Sequence, residues 1–96
     1  MKPIIHLKNY GIILSDKNVG DTILAKIHEL LKAHDIIELD FDAVTSMATF
    51  CSKQIFGSLY LTLGSDEFFR KLLFRNVNED MQLLIKIGIQ SAVEES

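Results

Sequence analysis

The chain has 96 residues, of which 48% are hydrophobic, and its ten Lys and Arg against thirteen Asp and Glu give a net charge of −3. This composition fits one small domain with a single core, which we predict over residues 1–96. The charges alternate without forming a basic block, which argues against nucleic acid as a partner. No apolar run approaches the roughly 20 residues of a membrane span, and no signal peptide is evident. We therefore expect a cytoplasmic protein that does not bind membranes.

The first residues predict two short strands. Residues 3–8 are β-prone, with Ile5 and Leu7 on one face. The turn-forming segment 9–11 precedes a second apolar run at 12–14. This arrangement is typical of a β-hairpin.

The next segment predicts a helix and then the clearest strand of the chain. Apolar residues recur with helical spacing at Val19, Ile23, Ile27, Leu30 and Leu31. Ser15 is the expected N-cap, and the low helix propensity of Gly20 predicts a helix start at Gly20 or Asp21. Residues 36–41 alternate between apolar and acidic side chains, which indicates that one face of the sheet stays open to solvent.

The second half predicts two long helices around one strand. The first runs from Thr49 to Leu63 and ends at Gly64. A short helical turn at 65–70, capped by Ser65, leads into a strand at 71–75. Asn78 is the expected N-cap of the last helix, whose apolar stripe consists of Met81, Leu84, Ile85, Gly88 and Ala92.

The predicted order of elements is thus β-β-α-β-α-β-α. Strand–helix–strand crossovers within one sheet are nearly always right-handed. The fold class is therefore α/β, with one mostly parallel sheet of about four strands and helices mainly on one face.

Few residues suggest chemistry. Asp40 and Asp42 follow the central strand at the end where ligands of open α/β sheets bind, and paired carboxylates can hold Mg²⁺ or act as acid and base. No third ligand or Gly-rich loop accompanies them, so a structural role is favoured. The lone Cys51 has no partner at a recognisable spacing, and a core position is favoured. We expect no cofactor, no metal and no enzymatic activity, because no nucleophile–base pair is visible.

Two groups of side chains are candidates for contacts. Glu38, Asp40, Lys71 and Arg75 are predicted to project from the open face, either as cross-strand ion pairs or as a docking surface. The aromatic residues favour a core position, but if exposed together they would mark a protein interface or a homodimer seam. These aromatic residues are Phe56, Tyr60, Phe68 and Phe69.

Hydroxyl side chains cluster before and at the start of the second long helix, at Thr45, Ser46, Thr49 and Ser52. Such residues usually cap helices. The alternative is a phosphorylation site, since a phosphate there would meet the positive end of the helix dipole.

Three segments carry a family resemblance. Residues 36–47, IIELDFDAVTSM, resemble the core of STAS-like domains, in which a hydrophobic strand precedes Asp-Phe-x-x-Val. Residues 50–57 resemble the helix that follows, and residues 72–78 resemble the last strand and its Asn-containing turn. The chain is most similar to bacterial STAS-like domains of unknown function. The resemblance implies a STAS-like fold over nearly the whole chain.

STAS domains include the anti-sigma factor antagonists, and the resemblance implies a comparable signalling role. In that family a cytoplasmic domain binds a protein partner, often an ATPase-type kinase that acts as the anti-sigma factor. Phosphorylation of a Ser or Thr at the start of the second helix breaks the complex. The family motif, roughly Asp-Ser-x-Gly, corresponds here to 48–51, where only Thr49 keeps a hydroxyl.

Our leading hypothesis is a non-enzymatic interaction module whose protein partner docks on the loop and helix after the central strand. The predicted contact residues are Asp42, Thr45, Ser46, Thr49, Lys53, Phe56 and Tyr60. One alternative is a phospho-switch at Thr49, Ser46 or Ser52, operated by a cognate ATPase-type kinase. Another is binding of a nucleotide or other small anion at the start of the second helix.

Overall fold

A computed structural model describes residues 2–96. The strands are β1 (Ile4–His6), β2 (Ile13–Leu14), β3 (Ile37–Asp40), β4 (Ser46–Met47) and β5 (Leu72–Arg75). The helices are α1 (Lys17–Ala33), α2 (Thr49–Ser52), α3 (Ser58–Leu63), α4 (Ser65–Lys71) and α5 (Glu79–Glu95), with a 3-10 turn at Leu7–Tyr10. A π-helical turn, Lys53–Gly57, joins α2 to α3, so that residues 49–63 form one continuous helix, here named the central helix.

The strands form two sheets rather than one. β3 lies between β1 and β5, and all three strands run parallel. β2 and β4 form a separate parallel pair. The prediction of a mixed α/β fold with parallel strands is confirmed, and the prediction of one four-stranded sheet is wrong.

The predicted hairpin at the start of the chain is also wrong. Leu7 is almost fully buried in the 3-10 turn after β1, which anchors the chain before it reaches β2. Ile13 then lies opposite Ser46, more than 30 residues away. The carbonyl of Ile12 accepts hydrogen bonds from the backbone N–H groups of Thr45 and Ser46, so β2 pairs with β4 instead of β1.

Helix α1 begins three residues before the predicted Gly20. Asp16, not Ser15, is the N-cap, and its carboxylate accepts hydrogen bonds from the N–H groups of Asn18 at 2.7 Å and Val19 at 3.3 Å. Gly20 is buried within the helix, where a β-carbon would lie 2.7 Å from the side-chain amide carbon of Gln54. Gly20 is thus an interior residue of the helix packed against the flexible side chain of Gln54, and not the helix boundary that we predicted.

The second half follows the sequence prediction more closely. The central helix spans 49–63 and ends at Gly64, whose φ of +83° favours glycine. Asn78 caps α5, with its Oδ1 accepting from the N–H of Met81 at 2.8 Å. Ser65 is the first residue of α4 and makes no capping hydrogen bond, and Lys71 ends α4, so β5 starts one residue later than predicted.

The core lies against one face of the three-stranded sheet. Its largest fully buried side chains include Phe41, Phe56, Phe68, Ile37, Leu39, Ile55 and Leu59. Three aromatic rings meet at its centre, with centroid separations of 6.0 Å for Phe41 and Phe56 and 5.8 Å for Phe56 and Phe74. The other face of the sheet carries the side chains of Ile4 and His6, both exposed, which leaves that face open to solvent.

Candidate partner-binding surface

The loop after β3 is held in place from its first residue. The N–H of Asp42 donates to Oδ1 of Asp40 at 2.9 Å, which fixes the turn directly after the strand. Ala43 adopts a left-handed φ of +69°, and Val44 then buries its side chain in the core. Asp42 and Thr45 consequently stay exposed on either side of a buried anchor.

The segment that contains β2 runs alongside this loop and the start of the central helix. The N–H of Thr45 donates to the carbonyl of Ile12 at 2.8 Å, and its hydroxyl donates to the same oxygen at 3.1 Å. Further along, the N–H of Ala48 donates to the carbonyl of Leu14 at 2.8 Å. The loop and residues 12–14 thus form one continuous surface.

That surface exposes apolar side chains that the sequence analysis did not assign to it. Ile12, Ile13 and Phe50 are 53%, 58% and 52% exposed. Ile12 precedes β2 and Ile13 is its first residue, so both exposed side chains lie at the start of the segment that pairs with β4. We name the set Ile12, Ile13, Thr45, Ser46, Thr49 and Phe50 the β2–β4 surface.

The predicted contact residues do not all lie together. Asp42, Thr45, Ser46 and Thr49 are exposed on or beside the loop. Lys53 is half-buried and forms an ion pair with Glu95 near the end of α5. Tyr60 is half-buried and packs edge-on against Phe68, with ring centroids 5.5 Å apart.

Phe56 has to be removed from the predicted contact surface. It is fully buried between Phe41 and Phe74 in the core. The helical spacing of Phe50 and Phe56 did not show which ring faces the sheet. The structure places Phe56 in the core, as the aromatic pattern favours, and leaves Phe50 exposed, for which the sequence analysis predicted no role.

The three predicted phosphorylation sites differ in access. Thr49 and Ser46 are exposed. Ser52 is fully buried, and its hydroxyl donates to the carbonyl of Leu84 at 2.6 Å, so a kinase cannot reach it in this fold. Thr49 is the first residue of α2, and its N-cap Ala48 has no side chain that could accept from the free N–H groups of the first turn.

The four predicted aromatic residues do not form one exposed seam. Phe56 and Phe68 are core residues, and Tyr60 is half-buried. Only Phe69 is strongly exposed, at 60%.

The open face of the sheet carries charges that are already paired with each other. Glu38 lies 3.7 Å from the ammonium of Lys2 and 3.6 Å from the guanidinium of Arg75. Nδ1 of His6 lies 3.2 Å from Oδ2 of Asp40. Lys71 is not part of this face, because it ends α4 and pairs with Asp35 and Glu67. The predicted cross-strand pairs therefore form without Lys71.

Asp40 also accepts two hydrogen bonds at the carboxyl end of β3. The amide of Asn76 donates to its Oδ1 at 2.8 Å, and the N–H of Asp42 donates to the same oxygen. These two donors hold the pKa of the Asp40 carboxyl below its ordinary value. Among residues 2–96, no group of three or more His, Cys, Asp or Glu side chains is placed to hold a metal ion.

Cys51 lies in the core, beneath the sheet face opposite to that of His6 and Asp40. Burial raises the pKa of its thiol, and the nearby negative charge of Asp16 raises it further. The thiol donates to the carbonyl of Asp16 at 3.5 Å. A neutral, buried thiol that bonds to backbone has the features of a structural cysteine.

Parallel strands with helices packed on one face and an exposed loop after the middle strand define a mixed α/β domain. The family model described as "STAS-like domain of unknown function (DUF4325)" matches residues 19–82, and the chain belongs to that family. No curated protein and no solved structure matches the chain. None of the helices within residues 2–96 has the length and apolar character needed to cross a bilayer.

Proposed function

We propose that the protein is a non-enzymatic interaction module that binds a protein partner through the β2–β4 surface. The observation that carries the proposal is the exposure of Ile12 and Ile13 beside the loop that follows β3, and of Phe50 directly after that loop in the chain. Single exposed apolar residues are common, but several in the segments that adjoin one loop indicate an interaction site.

The composition of the surface supports this role. Its apolar side chains are accompanied by the exposed hydroxyls of Thr45, Ser46 and Thr49. An apolar centre with a polar rim is the usual anatomy of a protein interface. The open face of the sheet is the weaker choice, because Glu38 and Asp40 already have partners there and a docking protein would have to break those contacts.

The family suggests the kind of partner. Anti-sigma factor antagonists, which the chain resembles, bind ATPase-type kinases through the corresponding loop and helix. We propose a kinase of that type as the partner, with the docking centred on Phe50.

The positions of the reactive side chains support a non-enzymatic role. The Cys51 thiol is buried and bonded to backbone, whereas the His6–Asp40 pair lies on the opposite face of the sheet. The Cys51 thiol and the His6 imidazole therefore do not meet as a nucleophile–base pair, which covalent catalysis by this cysteine would require.

Affinity capture from the source cell tests the proposal when three baits are compared. The wild-type chain should retain a partner that Ile13→Asp/Phe50→Asp loses and that the control Ile4→Asp/Leu83→Asp keeps. All four substituted positions are exposed, so folding should be preserved. The proposed surface would be refuted if Ile13→Asp/Phe50→Asp retained the partner. It would also be refuted if both double variants lost the partner equally. Direct titration of the purified partner then confirms that the contact is direct.

A specific observation also favours the phospho-switch as a second candidate. Thr49 is exposed at the start of a 15-residue helix that lacks a side-chain cap. A phosphate on Thr49 would be stabilised by the free N–H groups of the first turn and would add nearly two negative charges beside Phe50. Such a charge would oppose an apolar contact and release the partner.

A further inference from the structure

A groove lies away from the β2–β4 surface. It has a volume of about 720 Å³ and runs between the end of β5, the turn that follows it and one side of α5. Pockets for small molecules usually measure roughly 300–1,000 Å³. None of its lining residues belongs to the β2–β4 surface.

The walls of the groove are mainly apolar. They include Phe69, Phe74, Val77, Ile85 and Ile89. Phe69 is 60% exposed, yet its ring packs edge-on against Phe68, with centroids 5.1 Å apart, and against Tyr60 at 6.5 Å. An exposed ring that two other rings hold in position gives the groove a fixed aromatic wall. Aromatic ligands pack well against such a wall, edge-on or offset-stacked.

One lining residue carries a charge, and that residue is Lys86. The ammonium of Lys86 forms no ion pair with any residue of the chain from 2 to 96. The lining also contains Asn78, whose Oδ1 is used to cap α5 while its NH₂ group makes no hydrogen bond within the same residues. The charge and donor character of these two side chains complement an anion.

We propose that this groove binds a small organic anion with an aromatic body. The body packs between Phe69, Phe74 and Ile89, and the anionic group contacts Lys86, while Asn78 leaves a free amide donor at the other end of the groove. A carboxylate and a sulfonate satisfy the same groups, so the chemical class is defined by the aromatic body and the single negative charge. The site does not depend on the proposed partner surface.

The probe is 1-anilinonaphthalene-8-sulfonate, titrated into the full chain and followed by fluorescence and by amide chemical shifts. Lys86→Glu should weaken its binding about tenfold, because an attraction worth on the order of 1 kcal/mol is replaced by repulsion. Lys32→Glu, a charge reversal at an exposed position on α1, should leave the affinity unchanged. The neutral analogue N-phenyl-1-naphthylamine should bind Lys86→Glu and the wild type equally.

Filling the groove gives a second, independent test. Ile89→Trp should abolish binding of both dyes, whereas Leu83→Trp at an exposed position outside the groove should not. The proposal is overturned if Lys86→Glu binds the sulfonate as the wild type does, or if the shifted amides lie outside α4, β5, the turn 76–78 and α5. It is also overturned if sedimentation shows a dimer that Ile89→Trp dissociates, because a second copy would then occupy the groove. Lys86→Glu alters only a surface charge, so the test stands even if Ile89→Trp fails to fold.

Discussion

Gly88 of α5 lies directly against the backbone of Ser52 in the central helix. A β-carbon at residue 88 would fall 2.6 Å from the carbonyl carbon of Ser52 and 2.7 Å from the nitrogen of Lys53. The contact occurs where the π-helical turn begins. A π turn inserts an extra residue into a helix. Here it lies beside the close contact between the central helix and α5. The buried hydroxyl of Ser52 completes the contact by bonding to Leu84 of α5.

This close approach predicts a large effect for Gly88→Ala. The added methyl group meets backbone, which cannot move aside as a flexible side chain can. We expect a net loss of about 1–3 kcal/mol in the free energy of unfolding, even though alanine has the higher helix propensity. Urea denaturation measures it, with Gln90→Ala on the exposed side of α5 as the control, expected within about 0.5 kcal/mol of wild type. A wild-type stability for Gly88→Ala would show that the helices pack less closely than described.

Accessibility predicts which hydroxyl a cognate kinase can modify. Intact mass after incubation with the kinase and ATP should rise by one phosphate for wild type and for Ser52→Ala, because Ser52 is buried. The mass should remain unchanged for Thr49→Ala. If Ser46→Ala is the variant that abolishes the increase, the switch lies in β4 rather than at the helix start. If Ser52→Ala were the only variant whose mass did not increase, that result would contradict the buried position of Ser52.

The hydrogen bonds to Asp40 predict a dependence of stability on pH. The pKa of this carboxyl lies below its ordinary value of 3.8, so the folded state releases the proton more readily than the unfolded state. The resulting stabilisation is complete above roughly pH 5 and is lost as the pH falls through 3.8 and then through the lower pKa of the folded state. The difference in the free energy of unfolding between wild type and Asp40→Asn should therefore be larger at neutral pH than at a pH below the folded-state pKa of Asp40.

Asn76→Gly gives a matched test of the same contact. Asn76 has a left-handed φ of +57°, which glycine adopts readily, so the substitution removes the amide donor without straining the backbone. The pKa of Asp40, followed by carboxyl-carbon NMR, should rise toward its ordinary value. An unchanged pKa would show that the amide is not the main cause of the shift.

The sequence predicted the parts of this fold that depend on local chemistry. The central helix, its end at Gly64 and the cap at Asn78 follow from spacing and from the conformational preferences of single residues. The partner of β2 could not be predicted in this way, because residues 12–14 have the same local pattern in a hairpin as in a parallel pair with β4. Because of this error, the sequence analysis did not place Ile12 and Ile13 beside the loop that we predict to be the contact surface.

The sequence analysis also did not predict which side of the central helix faces the core. An apolar set as wide as that between Phe50 and Leu63 covers more than one face, and periodicity alone does not tell which side meets the sheet. The π turn shifts the helical phase after Ser52, and no local residue pattern indicated that a π turn would form. Phe56 therefore stands among the predicted contact residues although it lies in the core, and the exposure of Phe50 was not predicted.

Site-specific photocrosslinking in the source cell tests the central claim most directly. p-Benzoylphenylalanine is placed at Ile13 and Phe50 of the β2–β4 surface, and at Ile4 and Leu83 as controls. The four positions are similarly exposed, at 58%, 52%, 49% and 57%, so differences in yield report where the partner binds. We predict that positions 13 and 50 crosslink to the same protein, and that positions 4 and 83 do not. Crosslinks confined to position 4 or 83, or none at position 13 or 50, would contradict the proposed function.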